Sequence, residues 1–289
     1  DQTKDYTYDS LGQLIQCVVT DHHNNKTSTT DYVYDDAGNR TSMTKDNETT
    51  VYTYNDLDQL TQSITVKDDV RTSACTYTYD ANGNQISESD SVKGTSIHSS
   101  YDVANRLSSQ TITKDGSTIL AQENRYNGDD QRIEKKENGQ SKIYHYQNGM
   151  VSYVTDSDGM KTMQYLGNDG SVTGAEEYTA DTSKTSLYNK DIQNSTVSLL
   201  DDSLNGTTSY TYDAFGQTTV KGTDSSANEV CYTGGIYDES TGLYYLNARY
   251  YDPEDGRFLT QDTYRGEPNE PDTYHLYAYC ANDPVNYVD

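Results

Sequence analysis

Polar and apolar positions alternate in short runs along this chain, and the runs open on one recurring phrase. It reads "YTYDSLGQL" from Tyr6, "YVYDDAGNR" from Tyr32, "YTYNDLDQL" from Tyr52 and "YTYDANGNQ" from Tyr77, and it returns as "YTYDAFGQT" from Tyr210. Tyr-x-Tyr is alternation at period two, so both rings lie on one face of a strand. The next residues carry turn chemistry. An Asp or Asn accepts hydrogen bonds from the backbone two residues on, and a fourth-position glycine such as Gly12 supplies the positive φ of a bulged type I hairpin. A returning strand follows, as in Gln13-Leu14-Ile15, Asn39-Arg40-Thr41 and Gln59-Leu60-Thr61. Each phrase therefore predicts a β-hairpin. Polar segments such as Asp21–Lys26 and Lys45–Thr49 link one hairpin to the next. The spacing of the phrases falls in the range of repeat architectures, where one unit buries little alone and stacked units bury a shared face. Stacking predicts a ladder with Tyr8, Tyr34, Tyr54 and Tyr79 in register on neighbouring strands. No long window shows helical apolar periodicity.

Composition agrees with stacked hairpins rather than a compact core. Of 289 residues only 32% are hydrophobic, with no Trp, two Phe and 29 Tyr. Tyr brings apolar area while keeping a hydroxyl for a neighbour or for water. The net charge of −25 argues against nucleic acid, whose binding rests on phosphate neutralisation by Lys and Arg, and against anionic membrane surfaces. No stretch approaches the roughly 18 apolar residues of a membrane helix. The chain does not begin with Met, which fits a piece of something longer whose targeting signal lies elsewhere.

Cys17, Cys75, Cys231 and Cys280 form no CxxC pair and read as free thiols in the sheet. The five histidines, His22, His23, His98, His145 and His275, are scattered without metal spacing, so neither a metal nor a cofactor is expected. Asp156-Ser157-Asp158-Gly159 lacks the twelve-residue calcium-loop pattern and reads as a turn. The sequons at Asn25, Asn47, Asn194 and Asn205 are those that chance places in a chain rich in Asn, Ser and Thr.

The phrase Y-x-Y-D-x-x-G resembles the YD repeat of RHS-repeat proteins. The C-terminal blocks "GLYYLNARYYDPEDGRFLTQD" (Gly242–Asp262) and "YHLYAYCANDPVNYVD" (Tyr274–Asp289) closely resemble the RHS repeat-associated core domain. The resemblance implies an all-β spiral of stacked antiparallel hairpins, closed or plugged by a C-terminal core region. It implies an array over 1–200 and a last repeat plus core domain over 201–289, with Asp201–Asp262 packing as the plug. It also implies an encapsulating shell from a secreted or cell-surface bacterial protein, whose partner is a C-terminal toxin or cargo segment of the same polypeptide. In animal relatives, the teneurins, a similar shell belongs to an adhesion protein. A surface module that binds a glycan or another cell's protein is therefore the alternative.

The same resemblance carries a self-cleaving activity, with no external substrate, onto Arg249, Asp262 and Asp289. Two adjacent carboxyl groups can share one proton while one of them activates water, and an Arg can orient a carboxylate through paired hydrogen bonds. Asp252 and Asp283, each before a proline, read as ordinary turn openers. The chain ends at Asp289, where the family continues into the scissile stretch.

Overall fold

The computed structural model describes residues 2–168, 171–222, 228–267 and 271–288. It divides into two compact units. The first holds β1 (Gln2–Tyr8), β2 (Leu14–Asp21), β3 (Lys26–Tyr34), β4 (Arg40–Lys45), β5 (Glu48–Tyr54), β6 (Leu60–Lys67), β7 (Val70–Tyr79), β8 (Gln85–Asp90) and β9 (Thr95–Tyr101). Strands β10 (Leu107–Lys114) and β11 (Ser117–Tyr126) have residues in both units. The second unit holds β12 (Arg132–Glu137), β13 (Gln140–Gln147), β14 (Met150–Thr155), β15 (Lys161–Asn168), β16 (Ser171–Tyr178), β17 (Ser183–Lys190), β18 (Thr196–Leu200), β19 (Gly206–Tyr212) and β20 (Thr218–Gly222). It also holds β21 (Ile236–Asp238), β22 (Leu243–Leu246) and β23 (Arg249–Asp252), while β24 (Arg257–Phe258) and residues to 288 belong to the first unit. Strands β1 to β20 form an antiparallel sheet that is not closed. Among the described residues the helical elements are single 3-10 turns of three or four residues. The all-β expectation of stacked antiparallel hairpins holds.

Each phrase turn is built alike. Asp9 Oδ1 accepts from Leu11 N and Gln13 N, both at 2.9 Å, and the same pair recurs at Asp35, Asn55, Asp80, Asn127, Asp156, Asp191, Asp201 and Asp213. The side chain thus supplies hydrogen bonds that the ladder cannot make around a turn. The strand register slips by one at the second tyrosine, as where Tyr8 pairs with Leu14 and Tyr34 with Arg40. That slip is the bulge the fourth turn residue creates by adopting φ near +84°, as Gly12 does. Asp58, Asn105, Asp130 and Asn194 take the same left-handed conformation where the phrase lacks its glycine. Asn and Asp tolerate it better than other non-glycine residues.

The polar segments do link one hairpin to the next, and they do so as tight reverse turns of one meander. Lys67 pairs with Val70 across Asp68-Asp69, and Glu137 pairs with Gln140 across Asn138-Gly139, with positive φ at all four central residues. That is the turn whose twist matches flanking strands. The tyrosine strands therefore do not neighbour one another. β1, β3, β5 and β7 alternate with returning strands, and equivalent tyrosines sit two strands apart.

The two rings of each phrase do different work. The first is buried at Tyr32, Tyr52, Tyr77, Tyr144 and Tyr210 and half-buried at Tyr6. In the first unit Tyr52, Leu60, Cys75 and Tyr77 form one apolar cluster with Met43, Tyr54 and Tyr79 against it. The second ring ties its strand to the one before. Tyr34 Oη donates to Leu14 O at 3.0 Å, Tyr54 to Arg40 O at 2.8 Å, Tyr101 to Gln85 O at 2.8 Å, Tyr126 to Leu107 O at 2.7 Å and Tyr146 to Arg132 O at 2.9 Å. In each case the acceptor opens a returning strand. Where the next strand's pairing is described it begins two residues further on, at Gln16, Ser42, Ser87 and Glu134. The hydroxyl bonds the carbonyl that the parting strands leave behind. A second clasp joins successive turns when the left-handed residue has a side chain: Asn39 Nδ2 donates to Asp58 Oδ1 at 2.8 Å, and Arg106 Nη1 reaches Asp130 Oδ1 at 2.7 Å.

Tyr54→Phe keeps the ring and removes the clasp. It is expected to lower stability in urea titration by about 1 kcal/mol. Gly116→Ala should cost about 1–2 kcal/mol for its left-handed φ alone, since open space surrounds the new Cβ. Gly83→Ala should cost more, because its Cβ would also lie 2.7 Å from Tyr277 Oη. Equal midpoints for the two alanine variants would contradict this packing.

Candidate functional site

The C-terminal segment meets the repeats at their phrase turns in each unit. In the first unit, Arg257 lies between Tyr54 (5.1 Å) and Tyr277 (4.8 Å) and donates to Asp58 O at 2.5 Å. Tyr277 Oη donates to Gly83 O at 2.7 Å, and Asn282 Nδ2 to Gly38 O at 2.8 Å. His275 has a fixed tautomer. Its Nδ1 accepts from Ala278 N (2.9 Å) and Tyr277 N (3.2 Å), so Nε2 carries the proton toward Asn39 Oδ1 at 2.8 Å. Burial, then the Arg257 charge, pushes the imidazole down to about 4, against weaker pulls from Asp58 and Asp35.

In the second unit the contact is a buried ion cluster. Pairing sets Tyr244 opposite Tyr251 and Tyr245 opposite Tyr250 on β22 and β23. Tyr251 Oη donates to Phe215 O at 2.6 Å in the last phrase turn. Tyr245 and Tyr250 instead meet Arg132, the residue that opens β12. Its guanidinium lies over Tyr144, Tyr245 and Tyr250 at 4.9, 4.8 and 5.8 Å. It grips Asp238 with both terminal nitrogens, at 2.5 and 3.0 Å, and donates to Tyr250 Oη at 2.7 Å. Lys135 Nζ bridges Asp238 Oδ1 (2.8 Å) and Glu229 Oε1 (3.0 Å). Lys142 Nζ reaches Glu229 at 2.7 Å, and Tyr144 Oη donates to its other oxygen at 3.0 Å. Asp238 is wholly buried and Arg132 nearly so.

The electrostatics are those of a lock. Burial opposes the charge on Asp238, but Arg132 and Lys135 outweigh it and hold the carboxyl well below the usual carboxylate range. Burial also opposes ionisation of Glu229, and Lys135 and Lys142 bring it down to about 2. Lys135 is held well above its ordinary value by the two carboxylates despite its burial. Burial, then Glu229, pushes the Tyr144 phenol up. Asp238 and Glu229 stay ionised and Arg132 and Lys135 stay protonated around neutral pH, so these four hold elements together rather than pass a proton. Losing one partner strands a buried charge, which is the costly event.

Sequence reading missed this cluster, though one signal was present. The residue opening the returning strand is Leu14, Leu60 or Leu107 in several repeats and a buried arginine in two, Arg40 and Arg132. A charge at a core position needs a buried partner. As for the expected cleavage residues, Arg249 is half-buried on β23 in the second unit, its backbone paired with Leu246. Asp262 is half-buried in the first unit, where its N–H donates to Leu276 O at 2.9 Å and its Oδ1 accepts from Tyr264 N at 2.8 Å. Asp289 lies outside the described residues. Asp252 and Asp283 accept from backbone N–H groups two or three residues on, at 2.8–3.3 Å, as turn openers do. Cys17, Cys75, Cys231 and Cys280 are free thiols, and no helix among the described residues is long and apolar enough to cross a membrane.

A family model described as Teneurin YD-shell matches residues 1–285. The chain belongs to the Teneurin YD-shell family. This YD-shell chain is 31% identical over 286 residues to the tRNA nuclease WapA of Bacillus subtilis and 31% identical over 287 residues to the tRNA3(Ser)-specific nuclease WapA of Bacillus spizizenii. Each match covers 96% of this chain and 11% of the relative, so the YD-shell chain spans about a tenth of those proteins. A shorter match, 40% identical over 65 residues, covers 22% of this chain and 4% of the toxin protein Tse5 of Pseudomonas aeruginosa. Among solved structures, a chain of the TcdB2-TccC3 crystal structure superimposes with a TM-score of 0.53 at 20% identity, covering all of this chain and 18% of that one. That likeness shows the fold. The resemblance to RHS and YD-repeat proteins is thereby borne out, with toxin-associated relatives.

Asp238→Asn keeps the volume but strands Arg132 and Lys135, and is expected to cost about 3–5 kcal/mol. Lys142→Ala, at a side chain 43% exposed, should cost less than about 1 kcal/mol. The acid response should have two windows. His275 binds its proton more weakly folded than unfolded, so stability should fall between pH 6.5 and about 4. His275→Gln should flatten this stretch. Glu229 is likewise depressed, from 4.5 to about 2, so its contribution is lost only below pH 4.5. Denaturation midpoints measured against pH check both signs.

Proposed function

We propose that this chain is the encapsulating scaffold of a secreted or cell-surface bacterial toxin-type protein, and that it carries a C-terminal cargo segment of its own polypeptide. The observation that carries this reading is the pair of turn-end contacts just described. The C-terminal segment is bound into each unit through main-chain carbonyls and a non-titrating ion cluster, the chemistry of a fastening rather than of turnover. The family match over residues 1–285 and relatives named as nuclease and toxin support it. Because the chain matches about a tenth of the nuclease relatives, the activity in their names has room to reside in other residues.

We further propose that the core segment, residues 201–289, cuts the polypeptide after Asp289. Arg249 would orient a carboxylate through paired hydrogen bonds. The Asp262 and Asp289 carboxyl groups would share a proton, one activating water against the peptide carbonyl and the other protonating the leaving amine. The test is a denaturing gel of the polypeptide carrying its natural continuation. The expected result is two pieces, with the new N-terminus shortly after Asp289. Asp262→Asn or Asp289→Asn should slow cutting at least about a hundredfold, and Arg249→Lys should slow it too, since Lys cannot make the paired contact. Full cutting in the double Asn variant would remove these carboxylates from the mechanism. An uncut parent would leave a passive scaffold. Cargo that co-elutes with the scaffold after cutting, and resists protease there, is the result expected of encapsulation; cargo that separates freely would overturn it.

A further inference from the structure

A cavity of about 210 Å³ opens within the second unit, lined by polar groups such as Asn194 and Asn247 and by an apolar part that includes Met150, Val172, Ile236 and Leu246. It is smaller than the roughly 300–1,000 Å³ of drug-sized sites, so an occupant would be small. One cationic side chain, Lys190, lines it. Its amine is half-buried and donates to Asn194 O at 2.9 Å. Among the described residues no carboxylate forms an ion pair with it.

Part of the cavity wall is an unusual piece of backbone. Thr233, a β-branched residue, holds φ at +50°, where such residues are rarely found. The conformation is imposed from outside: Thr233 N donates to Ser195 Oγ at 3.1 Å, and Cys231 N to Gly235 O at 3.0 Å. Gly234 follows at φ +83°, where a Cβ would lie 2.8 Å from Asn194 Nδ2. Strain of this kind collects at functional sites.

We propose that Lys190 is a nucleophilic amine that captures small aliphatic aldehydes as a Schiff base inside this cavity. The amine nitrogen bonds to the carbonyl carbon, and both amine hydrogens leave with the carbonyl oxygen as water. Met150, Val172, Ile236 and Leu246 offer the short aliphatic tail its apolar contacts. The step needs an unprotonated amine, and the surroundings favour one. Burial lowers Lys190 to about 8, against weaker opposing influences of Cys231 and Asp191. Burial in turn pushes the Cys231 thiol up, so it is uncharged at neutral pH. A desolvated lysine is an activated nucleophile.

The test is competition within one molecule. The intact chain is treated briefly with butanal and cyanoborohydride at pH 7.5, and the alkylated lysines are mapped by mass spectrometry. Lys190 is expected to react at least about tenfold faster than the exposed Lys45 and Lys114, with a rate that levels off above pH 8. The advantage should vanish in guanidinium, and Lys190→Arg should leave the rates at Lys45 and Lys114 unchanged. Labelling of Lys190 no faster than Lys45 would overturn the proposal. So would an advantage that survives unfolding, because the cavity would then play no part.

Discussion

Everything in this fold depends on how the chain satisfies carbonyls where antiparallel strands begin to part. A peptide carbonyl away from water and without a donor costs free energy comparable to a lost hydrogen bond, and a chain with 32% hydrophobic residues has little burial to offset such losses. In repeats such as those of Tyr34, Tyr54 and Tyr146 the second tyrosine of the phrase meets the constraint. Its ring covers the margin of the buried face, and its hydroxyl ends on the carbonyl that opens the preceding returning strand. The Asp or Asn that follows does the same service for the turn's N–H groups. Phenylalanine would supply the area and not the bond, which accounts for 29 Tyr beside two Phe.

The fastening of the C-terminal segment works by a different balance. Its contacts in the first unit are mostly neutral and end on backbone oxygens. In the second unit it presents Glu229 and Asp238 to Arg132, Lys135 and Lys142. Buried ions add little net stability compared with well-packed apolar groups, but they penalise any arrangement in which the partners fail to meet. The cluster therefore specifies where this segment sits more than it strengthens the attachment. A net charge of −25 makes the choice consistent, because cations at the repeat are scarce and three of them are committed here.

Much of this was legible from residues alone, because the phrase is local chemistry. Tyr-x-Tyr followed by Asp and a fourth-position Gly specifies strand, turn and bulge within a few residues, and Gly12 and Gly38 behave as such glycines do. Asp58 and Asn105 were less legible, since nothing in "NDLDQ" or "DVANR" marks its last turn residue as left-handed until the repeats are superimposed. The two-residue turns were also obscured, because Asp68-Asp69 looks like any polar linker. The ion cluster lay out of reach for another reason. Arg132 and Asp238 are partners across 106 positions, and no local pattern announces such a pairing. Arg249 and Asp262 were singled out by likeness to a family, and they fall in different units.

The tyrosine clasp ends on a main-chain oxygen, an atom that every amino acid possesses. A hairpin therefore recognises the one before it without regard to which side chains that neighbour carries. Copies can be duplicated, lost or exchanged by recombination, and the joint between old and new still forms. Selection at the seam acts on the phrase itself and leaves the intervening strands free to diverge, which is the pattern of variation along this chain. The strongest exception is the hairpin that carries Arg132, whose loss would leave two acids of the C-terminal segment without their main counter-charge. Rearrangement can edit the array around that hairpin but not through it.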